Sequence, residues 1–144
     1  MQKQDTCQLL KECNSGIKMA VDALEEVLPN VKNQDLKKKL TSCLKEHKKL
    51  GDETHALLLE NHAPDEEPSM MAKSMSWIKT NLKMSVNPGD DTIANLISTG
   101  CDMGVRTLNK YLNDCSNASA QAKALVKKVI QSEESLSVDM RAYL

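Results

Sequence analysis

The sequence predicts an all-α protein, a bundle of two helical hairpins joined by a crossover helix. Three observations carry that expectation. Apolar residues recur at alternating steps of three and four along separate segments, the spacing of one helix face. The apolar mass is Leu, Met, Val, Ile and Ala, with one Trp, two Tyr and no Phe, which suits helices better than a pleated sheet. Five glycines and four prolines are too few for an all-β chain, which turns about every ten residues.

Taken in order, Leu10, Cys13, Ile17, Ala20, Leu24 and Val27 form the first seam and predict a helix over 4–28, ended by Pro29-Asn30. Asn33 or Asp35 can cap the next helix, whose seam is Leu36, Leu40, Cys43, His47, Leu50, Thr54 and Leu57. That helix runs to about residue 62, where Ala63-Pro64 stops it, and the short link between the two favours an antiparallel hairpin. The connector APDEEPS at 63–69 leads to a helix over 68–86, with Met71, Met75, Ile78 and Leu82 on one face and Trp77 beside them. After the turn NPGDD, a helix over 90–113 places Ile93, Ile97, Gly100, Gly104, Thr107 and Tyr111 on its seam. The last helix, 118–142, shows Ala118, Ala122, Leu125, Val129, Ser132 and Leu136. Residues 1–144 thus read as one helical domain: hairpin 4–62, crossover 68–86, hairpin 90–142.

A repeat ties the two hairpins together. CNSGIK at 13–18 and CDMGVR at 101–106 share the pattern C-[ND]-x-G-[IV]-[KR], and Leu24 and Leu112 each follow eleven residues after the cysteine. Both copies fall mid-helix in the first helix of a hairpin, as expected of a duplicated four-helix bundle. A mid-helix glycine costs roughly 1 kcal/mol against alanine, so the matched pair implies a packing reason. The expectation is a close crossing of the two helices near Gly16 and Gly104, about a pseudo-twofold axis.

On these residues the chain resembles the ferritin-like four-helix-bundle superfamily. More narrowly, it is similar to a branch of small bacterial proteins of unknown function with a Trp-bearing crossover helix. The likeness rests on Cys13 to Gly16, on AKSMSWIKTNLKM around Trp77, and on DDTIANLISTGCDMGVRTLNKYL. The resemblance implies the hairpin–crossover–hairpin fold and brings no activity with it.

Catalytic ferritin-like proteins build a diiron centre from inward carboxylates on two helices and a Glu-x-x-His pair on each of the others. This sequence departs from that pattern. Leu44 stands three residues before His47, and the last helix carries Glu133 and Glu134 but no histidine. Asp52-x-x-His55 has the right step, yet the seam turns Thr54 inward and these two outward. Asp52, His55, Asp102 and Glu133 are therefore weak metal candidates, and no catalytic or cofactor-binding residue is assigned.

His47 on an inner seam reads as a buried neutral imidazole bonded to Thr54, Glu133 or a backbone carbonyl. Its pKa should then be lowered, so that acid loosens the bundle. The five cysteines lack CxxC spacing and read as reduced core thiols. The net charge of −1 and the lack of aromatics among the lysines of 37–49 argue against nucleic acid. GDDT at 89–92 lacks the second glycine and the lysine of a phosphate loop. With no apolar run of signal-peptide or membrane-span length, the expected location is cytoplasmic.

The leading expectation is a non-catalytic bundle that lacks a complete diiron site, needs no cofactor and acts through protein association, as a homo-oligomer or with another protein. The alternative is an atypical metal-binding or redox protein built on the four weak candidates. A third reading is a small-molecule binder in a pocket at the bundle centre, where the two glycines thin the wall.

Overall fold

Four long helices carry the described residues of the computed structural model, 1–63 and 88–144. These are α1 (Gln2–Val27), α2 (Gln34–Glu60), α3 (Asp90–Asp114) and α4 (Ala120–Met140), with short 3-10 turns at Leu28–Asn30 and Arg141–Tyr143. No strand occurs among the described residues. The helix expected over 68–86, with Trp77, lies outside them. None of the helices among the described residues is long and apolar enough to cross a membrane.

Local chemistry sets the helix starts. Asn33 caps α2, its side-chain oxygen accepting from the backbone N–H groups of Asp35 (2.9 Å) and Leu36 (3.1 Å). Ser119 caps α4 by accepting from the Ala122 N–H at 3.2 Å, so the last helix begins at 120 and leaves Ala118 in the preceding turn. Asp90 and Asp91 place negative charge in the first turn of α3, where the helix dipole favours it.

α1 packs antiparallel to α2, and α3 to α4. Lys48 pairs with Glu25 across the first hairpin at 3.1 Å, and Ser137 donates to the Asp102 carboxylate across the second at 2.9 Å. The hairpins are tied reciprocally. The Asp90 carboxylate accepts from the N–H groups of Lys32 and Asn33, both at 2.9 Å, so the start of α3 holds the turn of the first hairpin. Asp5 accepts from the Asn117 N–H (2.9 Å) and the Thr6 hydroxyl from the Ser119 N–H (2.8 Å), so the start of α1 holds the turn of the second. The Cys7 thiol meets the Asn61 carbonyl at 3.9 Å, placing the end of α2 beside the start of α1. The chain consequently leaves α2 at one end of the bundle and enters α3 at the other.

The core falls into two apolar clusters. One gathers Leu9, Leu10, Ile17, Leu108 and Val129 towards the start of α1; the other gathers Val27, Leu36, Leu40, Ile93 and Met140 towards its end. Fully burying a leucine or isoleucine of this kind contributes about 1.5–3 kcal/mol. The α3 seam differs from the expected one. Its buried face is Ile93, Ile97, Cys101, Gly104 and Leu108, while Gly100, Thr107 and Tyr111 are half-buried. The face is rotated because the bundle is not filled solid on the α1 side of α3, where Gly100 and Thr107 line a cavity.

Candidate functional site

A polar pair lies at the bundle centre. His47 and Glu133 are 1% and 5% exposed, and each stands fourteen residues after its helix cap, Asn33 and Ser119. The two side chains, one from each hairpin, meet across the bundle. The His47 Nδ1–H donates to the Cys43 carbonyl one turn back at 3.0 Å, with the Cys43 thiol 3.3 Å from the same nitrogen. On the far side of the ring, Nε2 is 3.8 Å from Glu133 Oε1, too long for a hydrogen bond. Thr54 is not a partner of His47, since its hydroxyl donates to the Leu50 carbonyl.

Glu133 reaches this position because Gly104 has no side chain. A Cβ there would lie 2.5 Å from Glu133 Oε2 and 3.1 Å from its carboxyl carbon. The carboxylate thus rests against the backbone of α3. The repeat glycine serves a close approach, as expected, but what approaches Gly104 is an acidic side chain of α4 rather than the backbone of α1. Gly16 and Gly104 instead line one cavity of about 60 Å³, with Ala20, Gly100, Cys101 and Leu136 among its walls and the His47–Glu133 pair at its floor. Met103 is exposed and Met19 half-buried, so the cavity opens between α1 and α3.

Among the described residues, three buried side-chain polar atoms have no hydrogen-bond partner, and two of them are His47 Nε2 and Glu133 Oε2. Leaving such a group unpaired costs about 1–3 kcal/mol. The cavity that both residues line has room for more than one water.

The electrostatics correct the expectation of a depressed imidazole. Burial disfavours the charged ring, but hydrogen bonding to Cys43 and the neighbouring Glu133 outweigh it and carry His47 up to about 10. Burial also holds Glu133 above the usual carboxylate range, against the pull of His47. Both shifts favour the protonated forms. When the two groups share one proton, the pair carries no net charge and its free edge offers one donor and one acceptor, whichever group holds it.

The neighbouring thiols are inert by the same physics. Burial pushes Cys13 up to about 12, with Thr54 opposing and Glu133 adding to the rise. Cys101 is raised by burial and then by Glu133 and Cys43. All five cysteines are free.

The four weak metal candidates are not brought together. Asp52 and His55 are exposed and share an outer groove with Asn14 and Lys18. Asp102 is exposed and held by Ser137 on the α3–α4 flank. Glu133 alone is inside. Among the described residues no group of three or more His, Cys, Asp or Glu side chains could hold a metal ion. The diiron pattern of catalytic ferritin-like proteins does not fit the donor set among the described residues. The centre presents one imidazole and one carboxylate, while α1 and α3 contribute Cys13, Gly16, Cys101 and Gly104.

The burial of Glu133 escaped the seam, which placed Ser132 and Leu136 inward. Glu133 was nonetheless among the partners that the sequence offered His47. Compared with family models, curated proteins and solved structures, the chain matches none. What the described residues define is an all-α bundle enclosing a polar pair beside a small cavity.

Proposed function

We propose that this chain is a non-catalytic bundle of the ferritin-like arrangement, a binding protein whose central cavity takes a small ligand at the His47–Glu133 pair. The observation that carries the reading is the pair's two unpartnered atoms, buried at the floor of a cavity walled by three glycines and apolar side chains. The ferritin-like arrangement is supported by two reciprocally tied hairpins and by the positions of Asn61 and Asp90 at opposite ends of the bundle. The lack of oxidative chemistry is supported by the donor set, which holds too few carboxylates for two irons.

Xenon tests the cavity itself, since it enters apolar voids without making hydrogen bonds. Saturable shifts of the Gly16, Gly100 and Gly104 amide resonances under xenon pressure are expected; unchanged spectra would remove the binding reading. Anaerobic titration with ferrous iron followed by oxygen tests the other half. No stoichiometric uptake is expected, and oxygen-dependent iron oxidation at one or two irons per chain would overturn it. A cytoplasmic setting and action through protein association are separate proposals from the sequence. For the homo-oligomer, a protomer mass at every concentration in sedimentation equilibrium would end that reading.

A further inference from the structure

The His47–Glu133 floor defines the ligand more narrowly. We infer that the cavity takes a small uncharged molecule with an apolar body and one head group, a hydroxyl or a primary amide, that both donates and accepts a hydrogen bond. This rests on the cavity reading above and goes beyond it by assigning the chemical class.

Three observations lead there. First, the Nδ1–H of His47 is already committed to the Cys43 carbonyl, which leaves Nε2 as the ring's only free site. Second, the free edge of the pair is complementary to itself. With the proton on the imidazole, Nε2–H donates and the carboxylate accepts; with the proton on Glu133, its O–H donates and Nε2 accepts. A head group limited to one role would satisfy one atom and leave the other buried and unpaired. A hydroxyl or amide satisfies both, whichever way the proton lies. Third, among the described residues no charged side chain besides the pair lines the cavity: His47 and Glu133 are opposite in sign when ionised, and Lys18 and Asp52 lie in the outer groove. A carboxylate or ammonium head would enter a desolvated space with no counter-charge.

The spacing agrees with this. Nε2 and Oε1, the second oxygen of the carboxylate whose Oε2 is unpartnered, are 3.8 Å apart, too far to bond directly yet close enough for one bridging oxygen, or for the adjacent oxygen and nitrogen of an amide, to reach both. Size sets the body. A cavity of about 150 Å³ holds benzene, so about 60 Å³ encloses a head and one or two carbons. The remainder would run to the mouth between Met19 and Met103.

The test uses four probes of one chain length: n-butanol, butyramide, butyrate and butylammonium. Each is titrated into the full chain at pH 7 while the His47 imidazole resonances are followed. Saturation by butanol or butyramide is expected, with butyrate and butylammonium at least tenfold weaker. Gly104→Ala, whose methyl takes the space of the Glu133 carboxylate, should weaken the neutral probes at least tenfold; Asp52→Ala, on the outer groove, should leave them unchanged. Equal or tighter binding of butyrate or butylammonium would overturn the assigned class while leaving the cavity in place. No saturation by any probe, with xenon still entering, would also overturn the class. Failure of xenon and probes together would remove the cavity reading beneath it.

Discussion

Replacing Gly104 by alanine gives the sharpest test of how the centre is built, because two effects of known sign oppose each other. In the interior of α3, Gly→Ala should stabilise by about 1 kcal/mol through helix propensity alone. In this structure the new Cβ would lie 2.5 Å from Glu133 Oε2, about 1 Å inside ordinary contact. The carboxylate, the free end of its side chain, must swing off its rotamer towards the cavity it borders, and a shift of that sort costs about 1–3 kcal/mol. Gly104→Ala should therefore range from neutral to about 2 kcal/mol destabilising. In a Glu133→Ala background the obstacle is gone, and the same change should stabilise by about 1 kcal/mol. In a Glu133→Gln background the shape is kept and the charge lost, so the penalty should return. Urea unfolding followed by circular dichroism on the six proteins measures the coupling directly. A Gly104→Ala gain of about 1 kcal/mol in the parent chain, or effects additive to within about 0.5 kcal/mol, would show that Glu133 does not rest on Gly104.

The pH dependence of stability should follow the raised imidazole. His47 is held at about 10 when folded against an ordinary 6.5, so its contribution is full below 6.5 and is lost as pH rises towards 10. Glu133, also raised, adds a fall of the same sign beginning at lower pH. Unfolding free energy should decline from pH 7 to 9 with a slope of up to about 1.4 kcal/mol per pH unit, and His47→Gln should flatten it. Stability that rises over this interval would contradict the shared proton. At the bundle end, Asp90→Ala removes the acceptor for two backbone N–H groups of the first hairpin's turn. It should cost about 1 kcal/mol and lower the Tm by roughly 3–4 °C. Asp91, whose carboxylate accepts from the adjacent Thr92 N–H within its own helix, should matter less, and equal effects in a thermal scan would argue against the tie.

Much of the fold was legible because helix periodicity and capping are local. The α2 seam from Leu36 to Leu57 is buried at every position read from the sequence, and Asn33 caps where its side chain and the following apolar period placed it. The α3 seam was less legible. Gly100 and Thr107 fit a three-four spacing, but glycine and threonine do not say whether they face packed atoms or a void. His47 was legible as an inner residue, whereas its charge was not. Burial of an imidazole in general lowers its pKa; bonding to Cys43 one turn back and the position of Glu133 on a helix eighty-six residues later together reverse the sign.

Sequence by itself determined the four helices of the described residues and the Asn33 cap, since each depends on residues within a few turns of one another. It also determined that Glu-x-x-His pairs are missing. Tertiary structure alone decided that Gly104 makes room for a carboxylate, that Glu133 rather than Thr54 lies opposite His47, and that the pocket of the third sequence reading is present beside them. Those three facts depend on contacts between helices far apart in the chain, where no local spacing records which side chain will fill the space another leaves.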